Sequence, residues 1–187
     1  MFTALLDTNV LWPSLLRDFL LSLAIEGLYR PVWSETILAE LEYHEAAKLV
    51  GRGMARTEAD LRSAWLVAQM REHFDDALVT GWEGLDGTYG LPDPDDEHVL
   101  AAAVVGAAGV IVTYNVKDFP ASKVPAGIDV LAPEVFAHTT VSLDRRRLPS
   151  RRFLTAPMAS QPQKIAVGSR STSARRSSTR GVGSMRS

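Results

Sequence analysis

The chain opens on a short apolar run, Thr3–Leu6, that stops at Asp7 and reads as a buried strand. Asp7, Thr8 and Asn9 favour turns and helix starts. Behind them Leu11, Leu15, Leu16, Phe19, Leu20 and Leu23 recur at helical spacing until Gly27. Residues 31–33 predict a second strand, and Ser34 is a natural N-cap for the next helix. That helix turns Ile37, Leu38 and Leu41 inward, with Glu35, Glu40, Glu42 and Glu45 around them. A further helix is predicted over 57–74, with Leu61, Ala64, Trp65 and Ala68 as its apolar face. Residues 77–80 suggest a short strand, and a glycine-rich loop then leads into LPDPDDEHVLAA. From Glu97 to Ala108 a helix offers Val99, Leu100, Ala103, Val104 and Ala107 to a core, with Gly109 as its stop. Residues 110–114 make the clearest strand of the chain, and 128–131 make another. Strands alternating with helices imply an α/β fold with a parallel sheet covered on both faces.

Charge divides the chain. Residues 1–143 carry 9 Lys+Arg against 21 Asp+Glu, a balance of −12, whereas 144–187 carry 11 basic residues against Asp144 alone, a balance of +10. Together these give the overall −2. Beyond Leu143 the apolar period is lost. The Ser/Arg-rich sequence holds too little apolar surface to offset its ordering entropy, so disorder is expected there. The absence of cysteine excludes disulfides, thiolate zinc sites and cysteine nucleophiles. No apolar run is long enough for a membrane span, and the segment MFTALLD lacks a basic signal-peptide start. A cytoplasmic protein without membrane contact is expected.

In parallel α/β sheets ligands bind at the carboxyl ends of the strands. Asp7 follows the first strand, Asp118 follows 110–114, Asp96 begins the helix feeding that strand, and Glu40 needs only to face the same end. Four carboxylates brought together repel one another, and burial raises their pKa values further, so such a cluster calls for a cation. Oxygen ligands without cysteine or paired histidines suit Mg²⁺ or Mn²⁺, whose natural chemistry is phosphodiester hydrolysis. Each acid also has a simpler reading. Asp7 serves as a helix cap, Glu40 as a solvated helix residue, Asp93, Asp95 and Asp96 as turn and cap residues, and Asp118 as a turn residue. His44, His73, His98 and His138 show no zinc spacing, and His98 falls on a different helix face from Asp96. Neither glycine-rich nucleotide-binding signature is present. LLDTNVL resembles the phosphoaspartyl loop of haloacid dehalogenase-like phosphatases, but their second acid would fall at Asn9.

LLDTNVL at 5–11, ETILAELEY at 35–43, PDPDDEHVLAAAV at 92–104 and VIVTYNVKDFP at 110–120, in this order and spacing, resemble a PIN-domain ribonuclease of the VapC-like toxin class. The resemblance covers residues 1–137, leaving 138–187 as a basic Ser/Arg-rich tail. It implies a three-layer α/β sandwich with a short parallel sheet of order 3-2-1-4-5. It also implies an endoribonuclease site that uses Mg²⁺ or Mn²⁺. The family's acids fall on Asp7, Glu40, Asp96 and Asp118 as catalytic and metal-holding residues, with Thr8, Asn9, Thr113 and Asn115 in support. Asp93 and Asp95 would contribute through water. The implied partners are an RNA substrate, a cognate antitoxin protein of a type II toxin–antitoxin pair, and a second copy in a homodimer. A catalytically silent PIN-like module that binds RNA or protein is the alternative. The acidity of residues 1–143 departs from the cationic surface expected of an RNA-binding protein.

Overall fold

The computed structural model describes residues 1–144. Its elements are β1 (Thr3–Leu6), α1 (Thr8–Leu11), α2 (Ser14–Ile25), β2 (Arg30–Ser34), α3 (Glu35–Gly51), α4 (Arg56–His73), β3 (Leu78–Val79), α5 (Glu97–Val105), β4 (Val110–Val112), β5 (Asp129–Leu131) and α6 (Pro133–Asp144). The five strands form one parallel sheet in the order β3-β2-β1-β4-β5, flanked by helices. The parallel α/β sheet is the one the apolar pattern predicts, and its strand order is the one the resemblance implies.

β1 sits at the centre because Ala4, Leu5 and Leu6 are apolar on both faces, and all three are fully buried. Its neighbours are β2 and β4, with Leu5 opposite Val32 on one side and Ile111 on the other. The chain therefore leaves the sheet in opposite directions on either side of β1 and β4, and Asp7 stands at that divergence. The Asp7 amide donates to the Val112 carbonyl at 3.1 Å and the Thr113 amide to the Leu131 carbonyl at 3.0 Å. Both site segments are thus continuations of the ladder.

The long helix expected after Asn9 is two helices, broken at Trp12-Pro13, because proline cannot donate the next backbone bond. α2 ends in a paired C-terminal motif: the Gly27 amide bonds to Ala24 and the Leu28 amide to Leu23. Gly27, at φ +75°, supplies the left-handed residue this motif requires. Ser34 caps α3 as expected, its hydroxyl accepting from the Ile37 amide at 3.2 Å. Ile37, Leu38 and Leu41 are fully buried. Glu45, by contrast, leaves the polar face and is buried among Arg17 and Lys48.

α4 reverses the expected face. Leu61, Ala64, Trp65 and Ala68 point outward, and Ala59, Ser63, Val67 and Met70 are buried. Small residues at 59 and 63 let α4 lie close against α3, and that close packing decides the orientation. α5 is shorter than expected and ends at Val105, so Ala107 is exposed. Gly106 is required at its end: a Cβ there would lie 2.8 Å from Val79 Cγ2. Residues 138–144, read from sequence as the start of the tail, belong to α6. Thr140 is buried in α6 and Val141 packs against the core. The Ser/Arg-rich sequence from 145 onward lies outside the described residues.

Candidate active site

A cavity of about 490 Å³ opens at the carboxyl ends of β1 and β4, lined by Asp7, Thr8, Asn9, Trp12, Glu40, His44, Asp93, Asp95, Asp96, His98 and Asn115. Three of the four expected acids, Asp7, Glu40 and Asp96, meet in it. Asp118 does not line it. It ends the turn Val116–Asp118 and lies near enough for its charge to act on Asp96.

Asp7 occupies the N-cap position of α1, yet its carboxylate makes no capping bond to that helix. Its Oδ2 instead accepts from Asn9 Nδ2 at 2.6 Å and from the Thr113 hydroxyl at 2.6 Å. Asn9 Nδ2 also donates to Thr113 Oγ1 at 2.9 Å, and Asn9 Oδ1 accepts from the Tyr114 amide at 3.0 Å. The Asn115 amide completes the set by donating to Thr113 Oγ1 at 2.9 Å. Asn9 and Thr113 thus tie β1 to β4 and fix one oxygen of Asp7. Burial pushes the Asp7 carboxyl up. The Thr113 hydroxyl and Thr8 amide oppose this without reversing it, and the charge of Glu40 adds to the rise.

The acid-rich turn resolves into separate tasks. Asp93 caps the short helical turn Pro94–Asp96 by accepting from the Asp95 amide at 3.0 Å. Glu97 is buried and accepts from the Leu91 amide at 2.6 Å and the Tyr89 amide at 2.9 Å, fastening the preceding loop onto α5. Asp96 stands at the α5 cap position without capping it. Its Oδ2 is buried and without a hydrogen-bond partner. Burial, followed by the charges of Asp7, Asp93 and Asp118, pushes its carboxyl up to about 6.

Glu40 is half-buried. One of its oxygens accepts from the Thr8 hydroxyl, and the other lies 3.3 Å from His98 Nε2. Burial works against its charge, but the hydrogen bonds from His98 and Thr8 outweigh it and hold the carboxyl below its ordinary value. His98 answers in the opposite sense. Its own burial disfavours the cation, yet Glu40, Asp7 and Asp86 together raise its pKa. His98 therefore shares the cavity with Asp96, contrary to the helix-face expectation. The reason is that Asp96 belongs to the tight turn before α5, where the angular step of an α-helix does not apply. Trp12 and His44 also line the cavity; His44 is one of the histidines without zinc spacing, and no sequence motif marks Trp12. The Trp12-Pro13 break that ends α1 and leaves the indole at the cavity is the signal that would have found Trp12.

Among the described residues, no group of three or more His, Cys, Asp or Glu side chains is gathered as a metal-holding set. Mg²⁺ does not require one, since it keeps several waters and takes one or two carboxylates. Asp7 and Asp96 offer such a pair. The donors are all oxygen, one Asp96 oxygen is unpartnered, and both carboxyls are raised first by burial and then by neighbouring carboxylates. The residues present fit a hard divalent cation.

A family model described as a PIN domain matches residues 3–117, well over half of the chain, and the chain belongs to the PIN-domain family. PIN domains are in general nucleases. No curated protein and no solved structure matches the chain. No helix among the described residues is long and apolar enough to cross a membrane.

Proposed function

We propose that this PIN domain is a Mg²⁺- or Mn²⁺-dependent endoribonuclease, the toxin of a toxin–antitoxin pair. The observation that carries this reading is the buried, unpartnered Oδ2 of Asp96 in a cavity it shares with Asp7 and Glu40. A carboxylate that only capped its helix would have spent that oxygen on a backbone amide.

Asp7 and Asp96 would hold the cation, with Asp118 adding negative charge near Asp96. A divalent ion bound there polarises a phosphoryl oxygen and lowers the pKa of a bound water. Asn9 and Thr113 keep Asp7 in one orientation. Glu40, kept ionised by Thr8 and His98, orients the attacking water and receives its proton. The water oxygen attacks phosphorus in line as the bond to the 3′ oxygen breaks, and the departing 3′ oxygen takes a proton from solvent water, leaving a 5′-phosphate and a 3′-hydroxyl. His98, whose protonated form Glu40 and Asp7 favour against its burial, would bring positive charge beside the phosphate when protonated, in a cavity lined by five carboxylates. That local charge addresses the shortage of Lys and Arg in residues 1–143. A cognate antitoxin, a homodimer and a cytoplasmic setting belong to the same proposal, and they rest on the resemblance to VapC-like toxins.

The test compares wild type with Asp96→Asn for growth arrest and for cleavage of pooled RNA with Mg²⁺ or Mn²⁺. Loss of both in the variant is expected. Equal arrest by both proteins would overturn the carboxylate site. An intact fold without metal-dependent cleavage in wild type would favour the silent binding module.

A further inference from the structure

Trp12 closes α1 at the rim of the acidic cavity, with 41% of its surface exposed. Its indole Nε1 donates to the His44 carbonyl at 3.2 Å, and its own carbonyl accepts from Lys48 Nζ at 3.2 Å. The Lys48 ammonium lies 5.8 Å from the indole centroid, and the His44 ring stands edge-on at 6.5 Å. The only hydrogen-bond donor of the indole is therefore already used, and the ring is fixed between the α1–α2 break and α3. What it offers a ligand is a flat π-face. Asp7 precedes Trp12 by five residues, about 7.5 Å along a helical axis. This places the ring within reach of a base adjoining a phosphate held at Asp7.

We propose that Trp12, braced by His44, is a base-stacking subsite for single-stranded RNA beside the cleavage site. The proposal rests on the nuclease reading above. Unstacked bases of single strands are held on aromatic faces, with little demand for hydrogen-bond donors. Such a contact contributes to affinity and registers the strand, so the phosphate next to the stacked base is the one presented to the acids. Trp12 is then a substrate-binding position that sets strand register, and its effect falls on KM more than on kcat.

The experiment uses the full chain with Mn²⁺ and a short oligoribonucleotide that wild type cuts, alongside copies carrying one abasic ribonucleotide at each position flanking the cut. In wild type, one abasic position should raise KM roughly tenfold. Trp12→Ala should raise KM for the intact strand by a similar factor and lose its response to that abasic position, whereas Trp12→Phe keeps most of the wild-type KM. If Trp12→Ala fails to fold, Trp12→Leu replaces it, since leucine keeps apolar bulk without a π-face. Wild-type KM in the variant overturns the subsite. So does an abasic penalty that persists in full without the indole. The subsite is equally overturned if Trp12 changes competition by an arginine-rich peptide and not RNA binding, because the face then serves a protein. Absence of cleavage by wild type on any strand overturns the nuclease reading itself, and the subsite falls with it.

Discussion

The Thr113 hydroxyl donates to Asp7 Oδ2 across 2.6 Å, joining the ends of β1 and β4 through side chains 106 residues apart in sequence. The bond favours the ionised form of a buried carboxyl, the state that the proposed metal-holding role of Asp7 requires. Thr113→Val preserves shape and removes the donor. The Asp7 pKa, already raised by burial, then climbs further. We expect the acid limb of the cleavage pH profile to move to higher pH, with a stability loss of about 2 kcal/mol. An acid limb that stays in place would count against Thr113 as the partner that keeps Asp7 charged.

Asp96 carries a testable stability cost. Its pKa rises from 3.8 to about 6 on folding, first through burial and then through Asp7, Asp93 and Asp118. Between those values the folded protein binds more protons than the unfolded chain, so stability falls as pH rises through the window and stays lower above it. Asp96→Asn removes the charge and should stabilise the protein at pH 7 by about 1–2 kcal/mol. The gain should vanish towards pH 4 in urea melts. Mg²⁺ should raise the melting temperature of wild type and leave the variant unmoved, and chelation should reverse the shift. A variant less stable than wild type at pH 7 would contradict this electrostatic picture.

Glu40 and His98 stabilise each other's charged form. Glu40's contribution is present above its unfolded value of 4.5 and is lost as pH falls through its lowered folded pKa. That of His98 is present below 6.5 and is lost as pH rises through its raised one. The pair therefore acts most fully between these two unfolded values. Glu40→Gln should bring the His98 pKa down, as read by NMR titration of the imidazole. With Glu40 partly exposed, the loss of stability should stay below about 1 kcal/mol. An unmoved His98 titration would show that the imidazole is held by something else.

How much of this was legible in the sequence varies with how locally each feature is determined. The end of β1 follows from a short apolar run, so Asp7 could be placed at the sheet edge from pattern alone, whereas Thr113 and Asn115 entered only through the resemblance, since pattern ran the strand on to residue 114 and it ends at Val112. Glu40 needed only the register of a helix whose buried face was plain from Ile37, Leu38 and Leu41. His98 was illegible because its direction depends on the tight turn Pro94–Asp96, and Pro94 was the available signal. α4 misleads for a different reason. Its outward stripe of Leu61 and Trp65 is more apolar than the inward Ala59 and Ser63, and only the closeness of α3 decides between them. The burial of Glu45 likewise depends on Arg17 and Lys48, which meet it through packing and not through spacing alone.

Ala107 allows a test of the backbone apart from the site chemistry. α5 ends with the Ala107 amide bonding to Val104 and the Ala108 amide to Ala103, the same paired motif that closes α2. In α2 the left-handed residue is Gly27. Here it is Ala107, at φ +51°, the non-glycine residue with positive φ among those described. A Cβ in that conformation crowds the following carbonyl, a cost of about 1–2 kcal/mol, part of which the greater unfolded-state freedom of glycine offsets. Ala107 is exposed, so its methyl adds little to the core. Ala107→Gly should therefore raise stability by about 1 kcal/mol in urea unfolding, with an unchanged m-value and unchanged RNA cleavage. A destabilised Ala107→Gly protein would mean that α5 does not end in this motif, and the positioning of Asp96 at its opposite end would then need another anchor.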